Sequence, residues 1–173
     1  MKSQQGFNLL ELMLTVGLLA VILATAFPSL TTYLDNRRLS ATAQEISDML
    51  SLGRQQAVSR GENVLVCWNE NDAPLGNVMG TGVTVAADEF VVIAPANNDV
   101  LARRQVSGST LFEQQNINNQ CLVFSSSGRT NALAGSFFVC RRAGDPVNAR
   151  EIQIDLAGRA LINSNNLSAT PAC

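Results

Sequence analysis

Histidine is absent from the chain, and lysine occurs once, as Lys2. Without an imidazole there is no Ser-His-Asp arrangement and no imidazole metal ligand. No GxSxG elbow replaces it. Twelve basic residues face fourteen acidic ones, for a net charge of −2, so no general cationic surplus exists to hold a polyanion. Only local pairs remain, at Arg37-Arg38, Arg103-Arg104 and Arg141-Arg142. The four cysteines form no CxxC, which argues against zinc ribbons and thioredoxin-type chemistry. Adjacent carboxylates such as Asp88-Glu89 would point to opposite faces of a strand and cannot act as an acid and base pair. The oxygen-rich run Asn69-Glu70-Asn71-Asp72 lacks the alternation and the distal Glu of a calcium loop. These absences lead us to expect no enzymatic activity, no cofactor and no metal.

What the chain has in abundance stands at its start. Residues 9–27 are almost all apolar, about the length that crosses a bilayer core of roughly 30 Å. Glu11 is the only charge between Lys2 and Asp35. A carboxylate at membrane depth costs at least about 2.5 kcal/mol and needs a partner or a function. A secretory signal with a cleavage site at Ala24-Thr25-Ala26, or a plain single-pass anchor, accounts for the hydropathy and leaves Glu11 unexplained.

Gly6, Phe7, Glu11 and Pro28 together resemble the class III signal of type IV pilins and type II secretion pseudopilins. In that class Gly precedes an aromatic residue, and Glu stands fifth in the mature chain. The resemblance implies a leader at 1–6, cut by a prepilin peptidase between Gly6 and Phe7, with Phe7 N-methylated. It implies a transmembrane and assembly helix at 7–28, kinked near Pro28, and a periplasmic domain at 29–173. Glu11 would then pair with the N-terminus of a neighbouring subunit as it moves from the inner membrane into the fibre. Lys2 keeps the N-terminus inside, which places the cysteines in an oxidising compartment.

Beyond Pro28, Leu39, Ala43, Ile46, Leu50, Gly53 and Ala57 recur at steps of three and four. That spacing predicts an amphipathic helix to about Arg60, closed by Gly61. Small Gly53 and Ala57 would let a sheet approach closely. After Gly61, short apolar runs alternate with turn residues. They predict strands at 63–68, 82–86, 89–94, 100–106, 121–124, 136–141, 150–156 and 160–163. Turn clusters fall at 69–74, 96–99 and Gly144-Asp145-Pro146. The expected fold is α+β: a long N-terminal helix, transmembrane below and amphipathic above, packed on one antiparallel meander. Gly128 and Gly158 read as hairpin glycines at positive φ.

The order of features is similar to the GspH/FimT group of minor pilins and pseudopilins, and within it to the FimU kind. Those features are the strand with Cys67, then Leu122-Val123-Phe124 before Ser127-Gly128-Arg129, then Phe137-Phe138-Val139-Cys140, and Ile152-Gln153-Ile154 before Ala157-Gly158-Arg159. This implies other minor pilins and the major pilin as partners, and a site in the inner membrane and then in the extracellular pilus. The GspH kind, in the type II secretion fibre, is the alternative. The FimT kind binds DNA and carries Gly-Arg-x-Arg. Here Leu161 replaces the second Arg, so DNA is the least favoured partner, and Arg129 and Arg159 would be the residues to contact it. Four cysteines allow three pairings, which the sequence does not fix. We expect Cys140–Cys173, because it would pin the tail at 163–172, and Cys67–Cys121 with it.

Overall fold

The computed structural model describes residues 8–69, 76, 78–86, 89–106, 111–115, 120–130, 135–140 and 149–164, without the side chains at 25, 26, 28, 29 and 111–115. Gly6, Phe7, Cys173 and the turn residues 70–74 and 144–146 lie outside it. The chain falls into two compact units, Met1–Arg37 and Arg38–Cys173. A single helix, α1 (Leu9–Arg60), contributes to both.

In the first unit every described side chain from Asn8 to Leu34 is exposed. Asn8 caps the helix: the main-chain N–H of Leu10 reaches its Oδ1 at 3.4 Å, and the N–H of Glu11 donates to its carbonyl at 3.0 Å. Pro28 falls inside α1. Among the described residues no helix is long and apolar enough to cross a membrane. The expected span at 9–27 includes residues 25 and 26, whose side chains are not described.

In the second unit the expected stripe is buried. Leu39, Ala43, Ile46, Leu50 and Ala57 are all at most 1% exposed, and Gly53 is buried with them. They pack against two four-stranded antiparallel sheets. The first has the order β3 (Asp99–Gln105), β2 (Glu89–Ala94), β1 (Val64–Asn69), β5 (Cys121–Phe124). The second has the order β4 (Leu111–Gln115), β6 (Gly135–Cys140), β7 (Arg150–Ile154), β8 (Ala160–Asn163).

The single meander is therefore corrected to two sheets. Its expected strand at 82–86 is not one either: Gly80, Gly82 and Met79 take positive φ, and only Val85 makes an isolated bridge. β4 was missed because Glu113-Gln114-Gln115 offers no apolar alternation, and it pairs with β6 alone, as an edge strand.

β1 is buried on both faces. Val64, Val66 and Trp68 enter the main core with α1, β5, β6 and β7, while Leu65 and Cys67 enter a second cluster with Val78, Val83, Val85, Val91 and Ile93. The stretch 78–86 thus roofs the outer face of the first sheet. It is tied down by Asn69, whose Nδ2 donates to the carbonyl of Val85 at 3.2 Å. Trp68 brings the two sheets together, its ring 6.2 Å from Phe90 and 4.7 Å, edge-on, from Phe137. Each such buried ring contributes about 1.5–3 kcal/mol, and an edge-on pair adds about 0.5–1.5 kcal/mol. The indole N–H of Trp68 has no partner among the described residues.

Candidate functional site

Two regions carry the residues singled out from the sequence. The first is the apolar helix of the N-terminal unit. Leu9, Leu10, Leu12, Met13, Leu18, Leu19 and Val21 are each more than half exposed, and at about 100° per residue they are spread around the whole circumference. A continuous apolar surface of this kind is an interaction surface. Glu11 stands three positions after the Asn8 cap, in the first turn. There a carboxylate is favoured by the helix dipole and can answer the cap reciprocally. Asn8-x-x-Glu11 has the spacing of a capping box, a local signal that sequence reasoning passed over.

The second region is built by two like turns. At 125–129 the N–H of Ser125 donates to the carbonyl of Arg129 at 2.8 Å, and that of Gly128 to Ser125 at 2.7 Å. At 155–159 the N–H of Asp155 donates to Arg159 at 3.1 Å, and that of Gly158 to Asp155 at 2.9 Å. Gly128 and Gly158 have φ of 76° and 73°, as read from the sequence. The turns also touch. The N–H of Thr130 donates to the carbonyl of Leu156 at 3.3 Å, and a Cβ on Gly158 would collide with the carbonyl oxygen of Gly128. Arg54 of α1 closes the joint, its Nε donating to that same carbonyl at 3.2 Å.

Arg129 and Arg159 thus hold equivalent places on adjacent turns, both exposed. The guanidinium of Arg159 is already engaged: its Nε and terminal nitrogen each lie 2.8 Å from Asp155 Oδ2, while its main-chain N–H donates to Oδ1 at 2.9 Å. That main-chain bond is the largest cause that holds the Asp155 carboxyl below the usual carboxylate range; desolvation opposes it, and the guanidinium and the main-chain N–H of Ala157 add to it. Beside the joint, Ser51, Arg54, Gln55 and Val58 of α1 face Gly158, Arg159 and Leu161 across an open groove of ≈ 640 Å³. Val58 and Leu161, both more than half exposed, make its rim apolar. Arg54 carries no sequence motif and was not foreseen; its only signal is its place beside Gly53 on the packed stripe.

Cys67 and Cys121 are directly opposed on β1 and β5 and form a disulfide, the expected pairing. Cys140 is also disulfide-bonded; its expected partner Cys173 lies outside the described residues. Among the described residues no three of Cys, Asp and Glu come together to hold a metal ion. Ser136 donates to the buried Glu151 at 2.6 Å across β6 and β7.

The family model for the type II transport protein GspH matches residues 42–158. Similar solved structures include the type IV minor pilin FimU of Pseudomonas aeruginosa strain PAO1, 19% identical with a TM-score of 0.58, over 80% of this chain and 96% of FimU. The minor pseudopilin EpsH from the type II secretion system of Vibrio cholerae is 10% identical with a TM-score of 0.54, over 78% of this chain and 99% of EpsH. At these identities the likeness is one of fold. No curated protein is significantly similar in sequence. The matched span covers most of the chain, from the packed half of α1 through β7 to Gly158, and the chain belongs to the GspH family of minor pilins and pseudopilins.

Proposed function

We propose that this protein is a structural minor pilin of a type IV pilus, and not an enzyme. Its precursor would lose residues 1–6 to a prepilin peptidase and be methylated at Phe7. It would wait in the inner membrane on residues 7–28, its domain at 29–173 in the periplasm, and then enter the fibre. The observation that carries this reading is the helix of the first unit, exposed and apolar on all sides with one carboxylate in its first turn. Such a surface is not soluble in water, and it is satisfied by lipid or by like helices. In that low-dielectric setting Glu11 and a neighbour's N-terminal ammonium attract far more strongly than in water. The attraction offsets the desolvation of both groups and selects one docking register.

The globular domain would prime assembly and adapt tip minor pilins to the shaft. Paired cysteines, which pilus members often carry, support the pilus over the secretion fibre. The type II secretion pseudopilin is the second reading, favoured by the description of the matching family. DNA is not the partner we propose, because Asp155 occupies Arg159 and Leu161 stands where a second Arg would be needed.

The intact mass of protein taken from its native membrane should show loss of 1–6 plus one methyl group; cleavage after Ala26 instead would end the pilin reading. Glu11→Gln keeps a group able to answer the Asn8 cap but removes the charge. Both Glu11→Gln and Glu11→Ala should be processed, fold, and fail to enter sheared fibres. Normal incorporation of the Gln variant would reduce Glu11 to a helix-capping residue. Copurification with pilus minor pilins supports the first reading, and with secretion components the second.

A further inference from the structure

We propose that Tyr33 and Arg37 form a clasp for the phosphate of a phospholipid headgroup, and that this clasp sets the depth of the helix in the inner membrane before assembly. The inference rests on the reading of α1 as membrane-inserted and adds to it a specific lipid contact.

Tyr33 is the only tyrosine of the chain and is 53% exposed. Arg37, one turn on, donates from Nε to the Tyr33 hydroxyl at 2.9 Å, and its Cζ lies 5.2 Å from the ring centroid. The ring thus fixes the guanidinium plane and uses one of its five N–H donors. The terminal nitrogens have no partner among the described residues, and Arg37 is exposed. A fixed, planar fork with free donors is suited to a phosphate, which it can meet with two parallel bonds. The nearest carboxylate in sequence, Asp35, lies about 160° around the helix at 3.6 residues per turn. On the side of the clasp the apolar surface continues through Leu30 and Leu34, 52% and 47% exposed.

Depth agrees with chemistry. With Phe7 at the inner boundary, a helix tilted by about 20° and rising about 1.5 Å per residue leaves a roughly 30 Å core near Phe27 or Pro28. The Cα of Tyr33 then stands about 7 Å beyond the core and that of Arg37 about 12 Å. Helical side chains lean toward the N-terminus. The phenol therefore reaches back to the hydrocarbon boundary, where tyrosines form interfacial belts, and the guanidinium reaches the phosphates. Between Glu11 and Arg37 the helix is a spacer of about 39 Å. Anchoring Arg37 outside holds Glu11 near the inner interface, where its carboxylate keeps water until a neighbour's ammonium replaces it.

The test uses full-length processed protein in nanodiscs of phosphatidylethanolamine and phosphatidylglycerol, with ring-labelled tyrosine, methyl-labelled leucine and guanidino-labelled arginine. The single tyrosine signal should relax several-fold more with a headgroup spin label than with one at the acyl chain end or with an aqueous paramagnetic chelate. Lipid phosphorus should dephase an arginine guanidino signal that disappears in Arg37→Gln, an exposed substitution that leaves the fold intact. Leucines of the apolar run shielded from the chelate while Tyr33 is fully accessible to it would overturn the clasp and leave the pilin reading standing. Leucines of the apolar run fully accessible to the chelate would overturn membrane insertion itself, and the clasp with it. Unchanged phosphorus dephasing in Arg37→Gln would refute the assignment of the phosphate to Arg37.

Discussion

A glycine in mid-helix is normally a defect, and replacing Gly53 by alanine would ordinarily stabilise α1 by about 0.5–1 kcal/mol. Here the opposite is expected. A Cβ on Gly53 would collide with Cγ2 of Val66 on β1, and two atoms of the Phe124 ring stand 3.4 Å away. Val66 and Phe124 are both fully buried. Val66 is β-branched and fully buried, so of its three staggered rotamers only one turns the Cβ hydrogen toward position 53, and that one drives both methyls into filled core. Overpacking of this kind costs about 1–3 kcal/mol, which exceeds the helical gain and leaves a net loss of about 1 kcal/mol. For a folded region of this size that is about 3–4 °C in Tm.

Val66→Ala alone should cost about 2 kcal/mol in lost burial and cavity. In the Val66→Ala background Gly53→Ala should become neutral or stabilising, a coupling of about 1–2 kcal/mol. Thermal and urea unfolding of the four proteins measure the cycle. A Gly53→Ala protein that melts higher than the parent, or two substitutions whose effects simply add, would refute the claim that the glycine exists for close packing of helix on sheet.

Removing the Cys67–Cys121 link by a double Ala substitution should cost about 4 kcal/mol in the chain-entropy model, because it closes a separation of 54 residues. A loss below about 1 kcal/mol in urea unfolding would mean that the β1–β5 pairing needs no covalent support. Non-reducing peptide mapping should return Cys140–Cys173 as the second link, and any other partner for Cys140 would overturn the pairing. The Asp155 carboxyl should titrate below the ordinary range, so its contribution to stability is present above the unfolded pKa, near 3.9, and is lost as pH falls through the lower folded value. Arg159→Ala removes the guanidinium but keeps the larger influence, the main-chain N–H at 159. The titration midpoint followed by carbon NMR should therefore rise only part of the way, and a full return to the ordinary value would show the side chain to be the main cause.

How far the sequence could be read depended on which physical signal each element carried. The packed half of α1 was legible because a helix with one buried face imposes spacings of three and four, and all six stripe positions are buried. β2, β5 and β8 were placed at their observed bounds because apolar runs there are closed by turn residues on both sides. The division into two sheets was not legible. Alternation within a strand states which residues face inward and nothing about which strand lies alongside. In β1 even that is absent, since both of its faces are covered. The stretch at 82–86 looked like a strand because Val83 and Val85 alternate, yet they alternate in order to roof the first sheet from an irregular segment held open by left-handed residues. Of the candidate site, the glycines were legible through the rule that such turns need positive φ. The groove was not, because Arg54 and Leu161 meet only through the tertiary fold.

The two turns bear on how Gly-Arg should be read in this family. Gly158 is required twice over: its φ of 73° excludes an unstrained side chain, and any Cβ would strike the carbonyl of Gly128. Gly128 is required by its own φ and by Val58 and Arg54, which a Cβ would meet at 3.0 and 3.2 Å. The glycines are thus parts of a joint that ties β5 of one sheet to the β7–β8 hairpin of the other and both to α1, whatever the protein binds. Function has to be sought in the residues that follow them. Arg159 spends its charge on Asp155, four residues back in its own turn, and the next outward position is Leu161, 56% exposed beside Val58. A polyanion needs unpaired cations along its path and gains nothing from an apolar rim. A neighbouring protein surface gains from that rim and tolerates a charge already balanced, which is why the proposed partners of this domain are other pilins.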